Sequence, residues 1–122
     1  MKPGIKLEVK SFGSSDVELE TWSPEHPAEV FFVLEVEIGE AGDERSDLFY
    51  VTVATPEGLR LNHEVPVTKA GPLVVPEFSL SDLRQRVEEI VADCAAGTWT
   101  ESVERLQKHF DYEFADYSLV AK

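Results

Sequence analysis

Cysteine is almost absent from this chain. Among its 122 residues only Cys94 carries a thiol, so no disulfide can form within it. Long apolar runs are absent as well. No stretch approaches the roughly 18 consecutive apolar residues of a membrane-spanning helix. The opening Met1-Lys2-Pro3-Gly4 has no apolar signal core. Together these absences make the cytoplasm the expected compartment. Basic residues are scarce too. Eleven Lys and Arg face 24 Asp and Glu, for a net charge of −13. That balance argues against direct nucleic-acid binding, because phosphate contact needs a basic surface.

The signatures of catalysis are also missing. His26, His63 and His109 stand in no HExxH or other metal-ligand spacing. There is no Gly-rich phosphate loop and no GxSxG elbow. Cys94 falls on a helical apolar stripe and reads as a small core residue. His109, close to Asp111 and Glu113, reads as a cation at a helix C-terminus. Glu35 and Glu37 share a strand face and could mimic an acid–base pair, but solvated strand glutamates are far commoner. No cofactor, metal or catalytic residue is expected.

What is present is the pattern of one folded domain spanning residues 1–122. Hydrophobic residues make up 43% of the chain and aromatics 10%, enough for a core. The first half alternates with the period of strands. Ile5, Leu7 and Val9 share one face; Phe12 to Asp16 reads as a turn; Val17, Leu19 and Thr21 resume the alternation. Ser23-Pro24-Glu25-His26-Pro27 breaks it. Val30 to Ile38 gives the strongest strand, with Val30, Phe32, Leu34, Val36 and Ile38 on one face and Phe31, Val33, Glu35 and Glu37 on the other. Gly39 to Ser46 is a charged loop. Phe49, Val51 and Val53 then face away from Leu48, Tyr50 and Thr52. Thr55-Pro56-Glu57-Gly58 ends that strand. Leu59 to Phe78 is ambiguous, with short edge strands at Val65–Val67 and Leu73–Val75.

The second half is helical. Ser79 or Ser81 caps a helix with the stripe Leu83, Val87, Ile90 and Cys94, and Gly97 closes it. Thr98 and Glu101 form a capping box for a second helix. Its stripe is Trp99, Val103, Leu106 and Phe110, which places Trp99 in the core. The period then falls to two through Phe110, Tyr112 and Phe114, as in a short strand. The fold class expected is α+β: an antiparallel sheet of four to five strands with two C-terminal helices on one face.

The negative charge is concentrated. Asp16 to Asp47 holds eleven acids against Arg45 alone. An acidic surface keeps small proteins apart, and it can also steer a basic partner. The candidate contact residues are Glu35, Glu37, Trp22 and Tyr50 on an open sheet face, with Asp43, Glu44 and Asp47 in the neighbouring loop. Glu18 and Glu20 are expected to share that face.

An ordered series of short strings carries a family resemblance. They are Ile38-Gly39; Asp47-Leu48-Phe49-Tyr50-Val51-Thr52-Val53-Ala54-Thr55-Pro56; Trp99; Leu106; and Tyr112-Glu113-Phe114-Ala115-Asp116-Tyr117. In order and spacing the chain resembles the immunity protein 8 family of bacterial polymorphic-toxin systems. The resemblance implies a non-enzymatic protein whose partner is a cognate toxin domain; the charge balance and the lack of long apolar runs leave neither nucleic acid nor membrane as an expected direct partner. It transfers no site residues. Whether the chain forms a homodimer stays open. Two other classes also stay open: a small enzyme or ligand-binding domain with its site in Leu59–Phe78, and a module that self-associates through a sheet edge.

Overall fold

The computed structural model describes residues 4–115. Five strands and three helices follow in the order β1 (Leu7–Gly13), β2 (Phe31–Glu40), β3 (Asp47–Ala54), α1 (Pro56–Leu61), β4 (Leu73–Val74), α2 (Leu80–Asp93), α3 (Trp99–Leu106) and β5 (Asp111–Tyr112). The sheet order is β1-β2-β3-β4, and β5 also pairs with β3. All pairings are antiparallel except the two-residue β4, which runs parallel to β3. The class is α+β, with α2 and α3 on one face of the sheet.

The alternation in β2 decides which face is covered. Phe32, Leu34, Val36 and Ile38 are buried, as are Phe49, Val51 and Val53 of β3. They form one core cluster with Leu83, Val87 and Val91 of α2, Val103 and Leu106 of α3, and Phe110. Ser79 caps α2 and Thr98 caps α3, where its Oγ1 accepts from the Glu101 N–H at 3.1 Å. The α2 stripe turns slightly from the expected one: Val91 is buried and Ile90 only half so. Helix α2 also stops at Asp93, so Cys94 to Thr98 form the link. Buried Ser102 fixes this sharp turn, accepting from the Ala96 N–H at 2.9 Å and donating to the Thr98 carbonyl at 2.8 Å.

Several local expectations give way. Phe12 belongs to β1, not to a turn. A bulge between Val9 and Ser11 shifts the phase, so Leu7, Val9 and Phe12 all pack on the helix side. Val17 to Thr21 form no strand. The side chains of the preceding turn take the place of a pairing strand: Asp16 Oδ2 accepts from the Val33 N–H at 2.8 Å, and Ser14 Oγ donates to the Val33 carbonyl at 2.6 Å. The chain then leaves the sheet plane, and Leu19 plugs the core from a loop. Thr55-Pro56 not only ends β3 but starts α1, with Thr55 as cap and Pro56 in the first turn. Val65–Val67 is not a strand, whereas Leu73–Val74 is an edge strand.

The outer edge of β3 is closed by three separate segments of chain. The Glu113 N–H donates to the Leu48 carbonyl at 3.0 Å, and a Glu113 carboxylate oxygen accepts from the Leu48 N–H. Next to it β5 pairs Asp111 with Tyr50. Thr52 and Thr68 then exchange backbone-to-hydroxyl bonds at 3.1 and 3.0 Å. Last, β4 and Val75 bind Val53 and Ala54. The tail motif is therefore structural in part: Tyr112 stacks on Phe49 with ring centroids 4.8 Å apart, and Phe114 meets Tyr112 edge-on. Asp116 and Tyr117 of that motif lie outside the described residues.

Candidate partner-binding surface

The seven residues singled out from the sequence do not form one patch. Three of them share the open face. Glu35 and Glu37 of β2 point away from the helices, and in register they oppose Tyr50 and Leu48 of β3. Glu37 is exposed, while Glu35 and Tyr50 are half-buried. On the same face β1 carries Glu8 and Lys10, whose ammonium lies 2.6 Å from the Glu8 carboxylate.

Trp22 is on the other side, which corrects its placement beside Glu35. Its ring meets Phe32 edge-on at 5.4 Å and Phe78 at 4.7 Å. Phe32 belongs to the helix-covered face, so Trp22 closes one end of the core. The cause is the loop from Val17 to Thr21: without a strand there, a period of two no longer fixes the face. Glu18 and Glu20 likewise lie on the exposed loop, and Glu20 reaches Arg84 of α2 at 2.9 Å.

Asp43 and Glu44 occupy the β2–β3 turn, as the sequence implies. The turn is narrow. A Cβ on Gly39 would sit 2.2 Å from the Arg45 carbonyl oxygen, so only glycine lets the two strands close there. Asp43 is bound to Arg45 through both the side chain and the backbone N–H, with a 2.9 Å ion pair. The Arg45 hydrogen bonds pull the Asp43 carboxyl down to a pKa of about 2. Asp47 turns to the helix side, in register with Ile38. Its Oδ2 accepts from the Tyr112 hydroxyl at 2.6 Å. Burial, and then this bond, push the Tyr112 phenol well above its ordinary range. Asp47, Asp43, Arg45 and Glu40 border a shallow cleft of about 210 Å³ against Trp99. Trp99 is accordingly half-buried at the rim of the core and not inside it.

The remaining groups bear on the alternative classes. His26, His63 and His109 are exposed. The described residues contain no cluster of His, Cys, Asp and Glu able to hold a metal ion. Cys94 is buried, and desolvation raises its thiol pKa. The Leu59–Phe78 region contributes a groove of about 310 Å³ between β4 and α2, lined chiefly by Val53, Val74, Val75, Phe78 and Leu83. Its apolar wall is joined by Glu77, Asp82 and Arg86, with Ser79 at the start of α2. No described helix is long and apolar enough to cross a membrane.

A protein-family model described as Immunity protein 8 matches residues 7–117, nearly the whole chain. No curated protein and no solved structure matches it.

Proposed function

Because the chain belongs to the immunity protein 8 family, we propose that it binds a cognate bacterial toxin domain in the cytoplasm and blocks it by occlusion. The whole chain, residues 1–122, acts as one unit without a catalytic step. The family match carries this reading, and the charge supports it. A chain with a net charge of −13, with Glu35 and Glu37 on the open face and Asp43 and Glu44 at the adjoining turn, attracts a basic cleft, and a nuclease, which must hold phosphate, has such a cleft. Glu35, Glu37 and Tyr50 face the toxin. Asp43 and Glu44 at the adjoining turn steer its approach, because rim charges act mainly on the association rate. Trp22 and Asp47 support the fold from the other side.

The test is neutralisation by the purified protein of the toxin encoded beside it. Toxin activity should fall to background at a stoichiometric ratio, and association should slow as salt rises. Full toxin activity in the presence of excess protein would end this reading.

A further inference from the structure

Four observations about the open sheet face belong together. First, Val33, Leu48 and Tyr50 lie outside the core cluster, although each is half-buried. They form an apolar strip that the helices do not use. Second, Glu35 and Glu37 flank this strip and are held in place. Ser15 donates to Glu35 Oε2 through its N–H at 3.0 Å and through its hydroxyl, and Ser46 Oγ donates to Glu37 Oε2 at 3.0 Å. Third, both carboxylates are fixed by serine and neither by a cation among the described residues. Lys10 of β1 is bound to Glu8. Fourth, Glu35 stands directly across from Tyr50, a cross-strand pair whose Cβ atoms lie about 5 Å apart.

This is a surface prepared for cations. Two carboxylates two residues apart on a strand are separated by about 7 Å. Each presents its Oε1 while the serine holds Oε2. Ordering them in advance removes part of the entropy cost of binding, a factor of roughly two to ten in affinity per side chain. The Tyr50 ring beside Glu35 favours arginine over lysine, because a guanidinium can lie on a ring and bond a carboxylate at once.

We propose that the open face of β1–β3 reads a pair of basic side chains on the toxin, about 7 Å apart, with arginine over Tyr50 and Glu35 and a second cation at Glu37. The spacing fits residues i and i+2 of a strand, or i and i+4 of a helix at about 6 Å. An apolar side chain beside the second cation meets Leu48, which stands across from Glu37. Ser15 and Ser46 are positioning residues for the carboxylates. This inference rests on the family reading and commits it to one face and one partner chemistry.

The experiment is binding kinetics of the full chain with the cognate toxin domain, at two salt concentrations. Glu35→Gln with Glu37→Gln removes two charges at constant shape. It should raise Kd about 100-fold or more, mainly through faster dissociation. Glu88→Gln with Glu89→Gln removes the same charge from the exposed side of α2 and should change Kd less than about threefold. Tyr50→Ala should also speed dissociation. Ser15→Ala with Ser46→Ala should weaken binding several-fold, and Ser15→Thr with Ser46→Thr should restore it. If the wild-type chain neutralises the toxin but the open-face glutamine pair binds within threefold of it, the open face is not the docking surface. If the wild-type chain itself neither binds nor neutralises, the family reading falls first and this inference with it.

Discussion

Replacing Gly58 by alanine sets two opposite effects against each other, and the structure decides between them. Gly58 lies in α1, where alanine is intrinsically better by about 1 kcal/mol. It is also buried against the start of β2. An added Cβ would sit 1.9 Å from the Val30 carbonyl oxygen and 2.7 Å from its carbon. An ordinary C···O contact is about 3.3 Å, so one side must retreat by roughly 1.4 Å. The Val30 carbonyl is not free to do so, because it accepts the Thr55 N–H at 3.1 Å. Helix α1 is not free either. The Gly58 N–H is bound to Thr55 Oγ1 at 3.0 Å, and its carbonyl accepts the Asn62 N–H at 3.0 Å. Overpacking of this kind costs about 1–3 kcal/mol, and losing the Thr55 bond adds about 1 kcal/mol. Gly58→Ala should therefore destabilise the fold by about 2 kcal/mol net of the helix gain. Urea denaturation measures it as a lower midpoint with an unchanged slope. A variant as stable as the parent would mean that α1 can swing away from β2 without loss, and the packing argument would fail.

The other predictions follow from single contacts. Trp22→Ala should cost about 2–3 kcal/mol, since it opens the Phe32–Phe78 cluster; toxin affinity should change little once the variant is folded. Trp99→Ala should cost only about 1–2 kcal/mol because the ring is half-exposed, against the 3–5 kcal/mol of a fully buried tryptophan; a larger loss in denaturation would place it back in the core. The Asp43 carboxyl should titrate near a pKa of about 2 by NMR, and Arg45→Ala should return it to the ordinary range. Its folded value is depressed, so the small stabilisation it gives holds above the ordinary carboxylate pKa and fades as pH falls toward 2. Tyr112 behaves in the opposite sense. Its folded pKa is raised above the usual 10.0, so its contribution holds below pH 10 and is lost as pH rises beyond it. Phenolate absorbance should show a component ionising above the usual 10.0 that Tyr112→Phe removes, and the same substitution should flatten the alkaline loss of stability.

Much of the sheet and both long helices can be read directly from the residues, because their signals are local. Val30 to Ile38 alternates without interruption, and Ser79 and Thr98 carry their capping chemistry within three residues. Glu35 and Glu37 could be assigned to the open face for the same reason. The failures arise where the deciding partner is remote. Asp47 looks like a loop acid until Tyr112, 65 residues later, donates to it. Trp22 follows an alternating string, yet Asp16 and Ser14 have already satisfied Val33, so that string never pairs. One extra residue at Lys10 moves Phe12 to the core face, and a bulge leaves no period to detect. Helix α1 was available from Thr55-Pro56, but six residues are too few to show a stripe.

The closure of β3 sets a clock on the protein. Its outer edge is bonded by Thr68, Val75, Asp111 and Glu113, the last of them 65 residues downstream of Leu48. During synthesis the β2–β3 hairpin emerges first, with that edge bare. Contacts of such long sequence separation form late and slowly, since the intervening loop must be closed before they return anything. At roughly 5–20 residues per second, the chain from Leu48 to Glu113 takes about 3–13 seconds to emerge. Until then the sheet lacks its final strand, and the bare edge can recruit another chain. The open-face residues Tyr50 and Leu48 lie on this same late-secured strand, so the surface proposed for the toxin is completed only once the chain has been made as far as Glu113.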